Sequence, residues 1–264
     1  MTVQVRNDAN VGLLASDFQL RNEPNFAWRA ACSAHLALPG LRAFWPMGEY
    51  NAVGAASDQG GQARALTYHG APTYEFADLA PYIKFVAATS DYLSRADEAG
   101  LDILGTETYV LATQRGLMMG GWFYLDALGA TQALIGKWDF GGGQASYLLS
   151  VTAANRVQAA TCNPAAAAAV HLAVPVLTSG LWYHLVMRWI PNTDLIVYID
   201  GEPDAKDSGQ ASLMNSTAEF DIGRQASATN YLTGRASLCF LCATCGSELL
   251  VKALYEHTRS LYGK

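Results

Sequence analysis

Charge is what this sequence has least of. Only 15% of its 264 residues are Asp, Glu, Lys or Arg, against roughly 25% in an average soluble domain. With 51% of residues hydrophobic, many side chains must be withdrawn into a core or an interface. The cations are sparse as well as few: 17 Lys and Arg against 23 Asp and Glu leave a net charge of −6. They form no cluster able to neutralise successive phosphates, which argues against nucleic acid as a partner.

Long apolar runs are also missing. The richest stretches are interrupted by Gly, Ser, Asn or a charge well before a membrane-crossing helix would be complete, so membrane insertion is not expected. Met1 to Asn10 carries Arg6 and Asp8 where a signal peptide needs an apolar stretch, and classical secretion is not expected either. The five cysteines, Cys32, Cys162, Cys239, Cys242 and Cys245, are an odd number, which suits a reducing site of synthesis better than a secreted disulfide framework. Neither a G-x-S-x-G elbow, nor H-E-x-x-H, nor a phosphate-binding G-x-x-x-x-G-K loop is present.

What is present divides in two. Residues 1–40 read as an N-terminal arm, polar up to Pro24 and then Ala-rich and helical from Asn25 to Leu38. Asn25 is the expected N-cap, and Leu38-Pro39-Gly40 the stop. From Leu41 onward the chain breaks into short apolar runs separated by Gly, Asn, Asp and Ser, as an all-β sandwich does. Strands are expected at 41–47, 65–68, 82–86, 92–94, 118–125, 133–138, 145–151, 156–161, 170–174, 182–190, 195–199, 219–223 and 233–242. The Ala165 to Ala169 run reads as a loop entering a strand, being too short for a helix of its own. Leu249, Leu250, Ala253, Leu254, His257 and Leu261 fall at helical spacing, so a C-terminal helix over 248–261 should pack that stripe on the sandwich.

Several segments in order carry a resemblance that covers most of 41–262. Ala43-Phe44-Trp45-Pro46-Met47-Gly48-Glu49 resembles an opening jelly-roll strand, and Ser57-Asp58-Gln59-Gly60-Gly61 the turn after it. Trp182-Tyr183-His184-Leu185-Val186 is similar to a "W-x-H-V" strand, and Leu195 to Gly201 (LIVYIDG) follows "L-x-L-Y-V-D-G" almost residue for residue. Ile222-Gly223-Arg224 and the pairing of 234–241 with 249–255 resemble the closing elements, while 103–124 departs from the usual pattern but keeps Trp122. The family so resembled is the laminin-G-like jelly roll of the concanavalin A-like lectin/glucanase superfamily. The resemblance implies a two-sheet antiparallel jelly-roll sandwich over 41–264.

Candidate site residues follow from chemistry. Sugars are recognised by aromatic faces plus a few convergent polar groups. Trp122 and Tyr124 share one face of a strand, and Trp138, Asp139 and Tyr147 flank Gly141-Gly142-Gly143, where absent side chains admit close approach. These five are the expected ligand-binding residues, with core and rim packing as their bland reading. Related modules hold calcium at a loop edge, for which Asp58, Asp126 and Asp139 are the candidate ligands, although no clustered acidic spacing supports them. Asp200-Gly201 reads as a hairpin turn, and Trp182 and His184 as core residues whose imidazole bonds a loop carbonyl. Cys239 and Cys242 fall on opposite faces of one strand and read as buried small hydrophobes rather than zinc or cluster ligands.

Glucanases of the superfamily use paired acids in an E-x-D-x-E strand, which the chain lacks; Asp200-Gly201-Glu202-Pro203-Asp204 reads as a solvated loop. The expectation is therefore a non-catalytic surface or glycan-binding module without a cofactor, unless calcium serves structurally. Its partners are expected to be other subunits of an oligomeric assembly, joined through residues 1–40, and cell-surface glycans. The expected setting is a phage virion surface, as decoration protein or fibre; an extracellular bacterial adhesion lectin is the alternative.

Overall fold

The computed structural model describes residues 23–48, 55–77, 80–108 and 110–264. Helix α1 (Glu23–Leu36) leads into β1 (Leu41–Trp45), β2 (Ala55–Ala56), β3 (Leu66–His69), β4 (Thr73–Ala77), β5 (Ala80–Phe85), β6 (Tyr92–Arg95), β7 (Arg115–Leu125) and β8 (Gln132–Asp139). There follow β9 (Gln144–Val151), β10 (Arg156–Cys162), β11 (Ala168–Val176), β12 (Trp182–Ile190), β13 (Asp194–Ile199), β14 (Glu202–Ser208), β15 (Phe220–Ile222), β16 (Gly234–Thr244) and helix α2 (Glu248–Thr258). The strands form two antiparallel sheets. Sheet A runs β14-β13-β12-β7-β16-β5-β4 with β1 also on β16, and sheet B runs β11-β10-β9-β8-β15-β6-β3-β2. This is the expected jelly-roll sandwich.

Side-chain alternation explains the layering. Along β7, Leu117, Met119, Phe123 and Leu125 point into the core between the sheets, while Met118 and Trp122 point the other way. Both faces of sheet A are thus apolar, and a sheet apolar on both sides needs a second cover. The two helices supply it: Ala31 and Leu38 from the α1 segment and Val251 and Leu254 from α2 share a cluster with Phe44, Trp122 and Phe240. Buried His35 stacks on Phe44 at 4.9 Å and bonds the Ala31 carbonyl through Nδ1 at 2.8 Å. Of the expected arm, residues 1–22 lie outside the described residues, and the remainder is packed against the sandwich.

Several local expectations need correction. Helix α1 starts at Glu23, so Asn25 lies inside the first turn and not at the cap; Pro24 is accommodated because the first turn needs no donor there. On α2 the covered residues are Val251, Leu254 and Thr258, whereas Leu249 is 79% exposed and Ala253 and His257 also face outward. Leu250, Leu254 and Leu261 of the expected stripe do pack on the sandwich, and Ser247 caps the helix, its hydroxyl accepting from the Leu250 amide at 3.1 Å. Residues 202–208 are a strand, not a solvated loop. As an edge strand β14 tolerates both its polar sequence and Pro203. Strands β2 and β4 also lie outside the expected set. Asp200 and Gly201 do form the turn, with φ of +51° and +81°, and the Asp200 carboxylate accepts from the His184 amide at 2.9 Å.

Candidate functional site

The polar groups that the core does not absorb gather on the outer face of sheet B. Strand β15 is central there, paired with β6 and β8. Phe220 and Ile222 enter the core, which turns Asp221 between them to the opposite face. Its register partners are Ser94 and Gly136. Gly136 is obligatory, since a Cβ there would stand 2.6 Å from the Tyr147 carbonyl oxygen.

Beside Asp221, His69 and Tyr92 are register partners on β3 and β6, and their rings stack at 4.3 Å within 4° of parallel. His69 Nε2 hydrogen-bonds the Ser94 hydroxyl at 2.9 Å. After β15, Gly223 takes φ +92° and brings Arg224 back over the sheet. The guanidinium lies 3.5 Å from the Tyr92 ring centroid. Its Nε donates to Asp221 Oδ2 at 3.2 Å and its Nη2 to Glu219 Oε2 at 2.7 Å. Asp221 Oδ1 is buried and accepts from no group. Burial outweighs the attraction of Arg224 and raises the Asp221 carboxyl to about 7. Burial, aided by Arg224, holds His69 below its ordinary value.

Next to this cluster opens a cleft of about 460 Å³ lined by Thr67, His69, Ser94, Arg95, Asp97, Glu98 and Glu219, among others. Its floor is rigid. Glu98 joins Arg64 at 2.5 Å and Arg95 at 2.8 Å. Fully buried Lys137 reaches Asp97, Asp102 and the Ser216 carbonyl. A concave cleft with a few convergent donors and acceptors is the form a sugar site takes.

The residues expected to bind a ligand are not brought together. Trp122 is fully buried under α2, its indole donating to Thr258 Oγ1 at 2.8 Å and stacking on Tyr262 at 4.2 Å. Tyr124 shares that outer face of sheet A but packs beside Trp182 and under Arg235, whose guanidinium carbon stands 4.2 Å from the ring centroid. Tyr147 lies in the core between the sheets, its hydroxyl donating to the Leu101 carbonyl at 2.7 Å. Trp138 is 7% exposed and stacks on Phe140, which is 53% exposed and was not among the expected residues. Asp139 shapes the glycine turn by accepting from the Gly142 amide at 3.0 Å. The bland reading therefore holds for Trp122 and Tyr147.

The calcium candidates are equally dispersed. Asp58 accepts from the amides of Phe44, Gly60 and Arg64 at 2.9, 2.7 and 3.1 Å, so backbone occupies its oxygens. Asp126 faces Arg235 at 3.4 Å, and Asp139 is at the turn already described. Among the described residues no group of three His, Cys, Asp or Glu side chains is placed to hold a metal ion. Cys239 and Cys242 do fall on opposite faces, in the inter-sheet core and in the helix-covered cluster respectively, where burial pushes both thiols up. His184 is buried as expected, but neither ring nitrogen finds the expected carbonyl, and burial lowers it to about 3.

Sequence reasoning missed the cleft because its parts come from three distant segments. One local signal existed: Glu219-Phe220-Asp221-Ile222 alternates acid and apolar residues just before Gly223-Arg224.

Residues 112–237 match the laminin-G-type family model described as the concanavalin A-like lectin/glucanases superfamily. No curated protein sequence matches the chain. Among solved structures, the binding domain of Paraclostridial mosquitocidal protein 1 superposes with a TM-score of 0.65 at 11% identity, over 82% of this chain and 52% of that one. The botulinum neurotoxin type C structure whose cell entry depends on interaction with two ganglioside molecules gives 0.60 at 8% identity, over 83% and 50%. Domain 4 of AbnA, an extracellular arabinanase of Geobacillus stearothermophilus, in complex with arabinotriose, gives 0.58 at 12% identity, over 81% and 98%. The chain thus spans about half of the toxin structures and nearly all of the arabinanase domain. Residues 112–237, just under half of the chain, are thus similar to the laminin-G-type family of that superfamily, and the chain as a whole has a two-sheet jelly-roll fold.

Proposed function

We propose that the protein is a non-catalytic glycan-binding module whose site is the cleft on the outer face of sheet B. The observation that carries this reading is the cleft's lining, where His69, stacked on Tyr92, stands beside the part-exposed carboxylates of Glu219, Asp97 and Glu98. Sugar hydroxyls donate to such carboxylates, and a concave site with a few convergent polar groups is the usual form of a ligand site. Structural neighbours include an arabinotriose complex and a ganglioside-dependent toxin, which is consistent with this use of the fold.

Catalysis is not part of the proposal. Glu219 and Asp221 are two residues apart, just before and within β15, but a single guanidinium, that of Arg224, holds both. An acid and a nucleophile need environments that separate their roles. Isothermal titration against an array-selected oligosaccharide tests the reading: affinity should fall at least tenfold in His69→Ala and in Glu219→Ala, and wild-type affinity retained in both would refute it.

The setting is a separate proposal: a subunit on a phage virion surface, joined to other subunits through its N-terminal segment. Because Ala31, His35 and Leu38 cover sheet A, deletion of residues 1–40 would expose Phe44 and Phe240, so the test must stop at residue 22. Loss of assembly by the 1–22 deletion, with the body still folded, supports the virion reading. Unchanged mass in sedimentation, with glycan affinity intact, favours a free-standing lectin.

A further inference from the structure

The charge of the glycan can be read from the cleft. Resting on the binding site just proposed, we infer that it takes neutral oligosaccharides and discriminates against sialylated, sulfated or uronate-bearing ones. Each cation of the site is already matched by carboxylate. Arg224 holds Glu219 and Asp221. Arg64 and Arg95 both hold Glu98. Lys137 is fully buried between Asp97 and Asp102, with its remaining proton on the Ser216 carbonyl. Proteins that recognise acidic ligands keep Arg or Lys free to form charge-assisted bonds with them.

The groups that remain available are acceptors. Glu219 is 46% exposed at its side chain, Asp97 33% and Glu98 30%, and these carboxylates line the cleft. Around the site, all four permanent cations are engaged by carboxylates, as the pairs above show, and burial shifts His69 toward its neutral form. A ligand carboxylate or sulfate would meet the part-exposed carboxylates of Glu219, Asp97 and Glu98 with every cation named above already paired, and at partly buried positions like charges repel by amounts that matter to affinity. Sugar hydroxyls, by contrast, donate to carboxylates.

The test is a glycan array on which each neutral core stands beside its sialylated and sulfated forms, read with the full chain and with two variants. Adding the acidic group should weaken binding about tenfold or more. In Glu219→Gln, which leaves Arg224 without its exposed partner, that discrimination should shrink at least threefold. Acidic forms that bind as tightly as their neutral parents, through contacts abolished by His69→Ala, overturn the inference and leave the binding site standing. Neutral glycans that bind but keep full affinity in His69→Ala overturn the site itself, and an array on which nothing binds overturns the glycan-binding reading.

Discussion

Arg224 lies 3.5 Å from the centroid of the Tyr92 ring while its Nε reaches Asp221 Oδ2 at 3.2 Å. One side chain thereby ties the aromatic face of the proposed site to its only fully withdrawn acid. Replacing it with alanine leaves Asp221 buried without a cation, a change that typically costs about 3 kcal/mol or more. Urea unfolding of Arg224→Ala checks this; a loss below about 1 kcal/mol would show that the acid is indifferent to its partner.

Asp221 also sets a pH dependence that opposes the buried histidines. Its folded carboxyl titrates at about 7, above an unfolded value near 3.9, so its contribution is full below pH ~4 and is lost as pH rises through about 7. His35 and His184, lowered by burial to about 4 and about 3, act in the reverse sense and weaken the fold as pH falls below ~6.5. Two histidines outweigh one acid, so stability should rise with pH between about 4 and 6.5. Asp221→Asn should steepen that rise by about 1.4 kcal/mol per pH unit, and His184→Phe should flatten it by a similar amount. Parallel curves for the wild type and Asp221→Asn would contradict the assignment.

Trp122 belongs to the helix-covered side of the molecule. Trp122→Ala removes a fully buried indole that stacks on Tyr262 and bonds Thr258, for a loss of roughly 3 to 5 kcal/mol in chemical denaturation. Glycan affinity measured below the unfolding midpoint should stay within twofold of wild type. A specific loss of affinity in a variant that remains folded would return Trp122 to the binding site.

Asp58 acts through backbone amides, and the prediction separates that role from calcium. Asp58→Ala frees the amides of Phe44, Gly60 and Arg64 and should lower stability by about 2 kcal/mol. Addition of EDTA or millimolar calcium should leave the wild-type melting temperature unchanged. A calcium-dependent rise that disappears in Asp58→Ala would reverse the account.

The fold was legible where local pattern and burial agreed. Strand β12 occupies the expected 182–190, because both flanks are turns and its residues are buried on both faces. β14 was illegible because an edge strand needs neither apolar alternation nor a complete set of donors, and Pro203 argues against a strand only in a sheet's interior. The site was illegible for another reason. Aromatic residues are the natural guide to sugar binding, yet Trp122 and Tyr147 are consumed by packing, as large apolar rings usually are. The residues at the cleft instead include a histidine, a tyrosine and two acids whose proximity is set by the β3–β6–β15 register. No single segment contains enough of them to form a motif.

The most direct measurement is the dissociation constant of the full chain for its strongest array-selected neutral oligosaccharide, set beside that of His69→Ala and of Trp122→Ala under conditions where all three are folded. The account predicts at least a tenfold loss for His69→Ala and none for Trp122→Ala. The opposite order would move the site to the outer face of sheet A and contradict the assignment of function to the cleft.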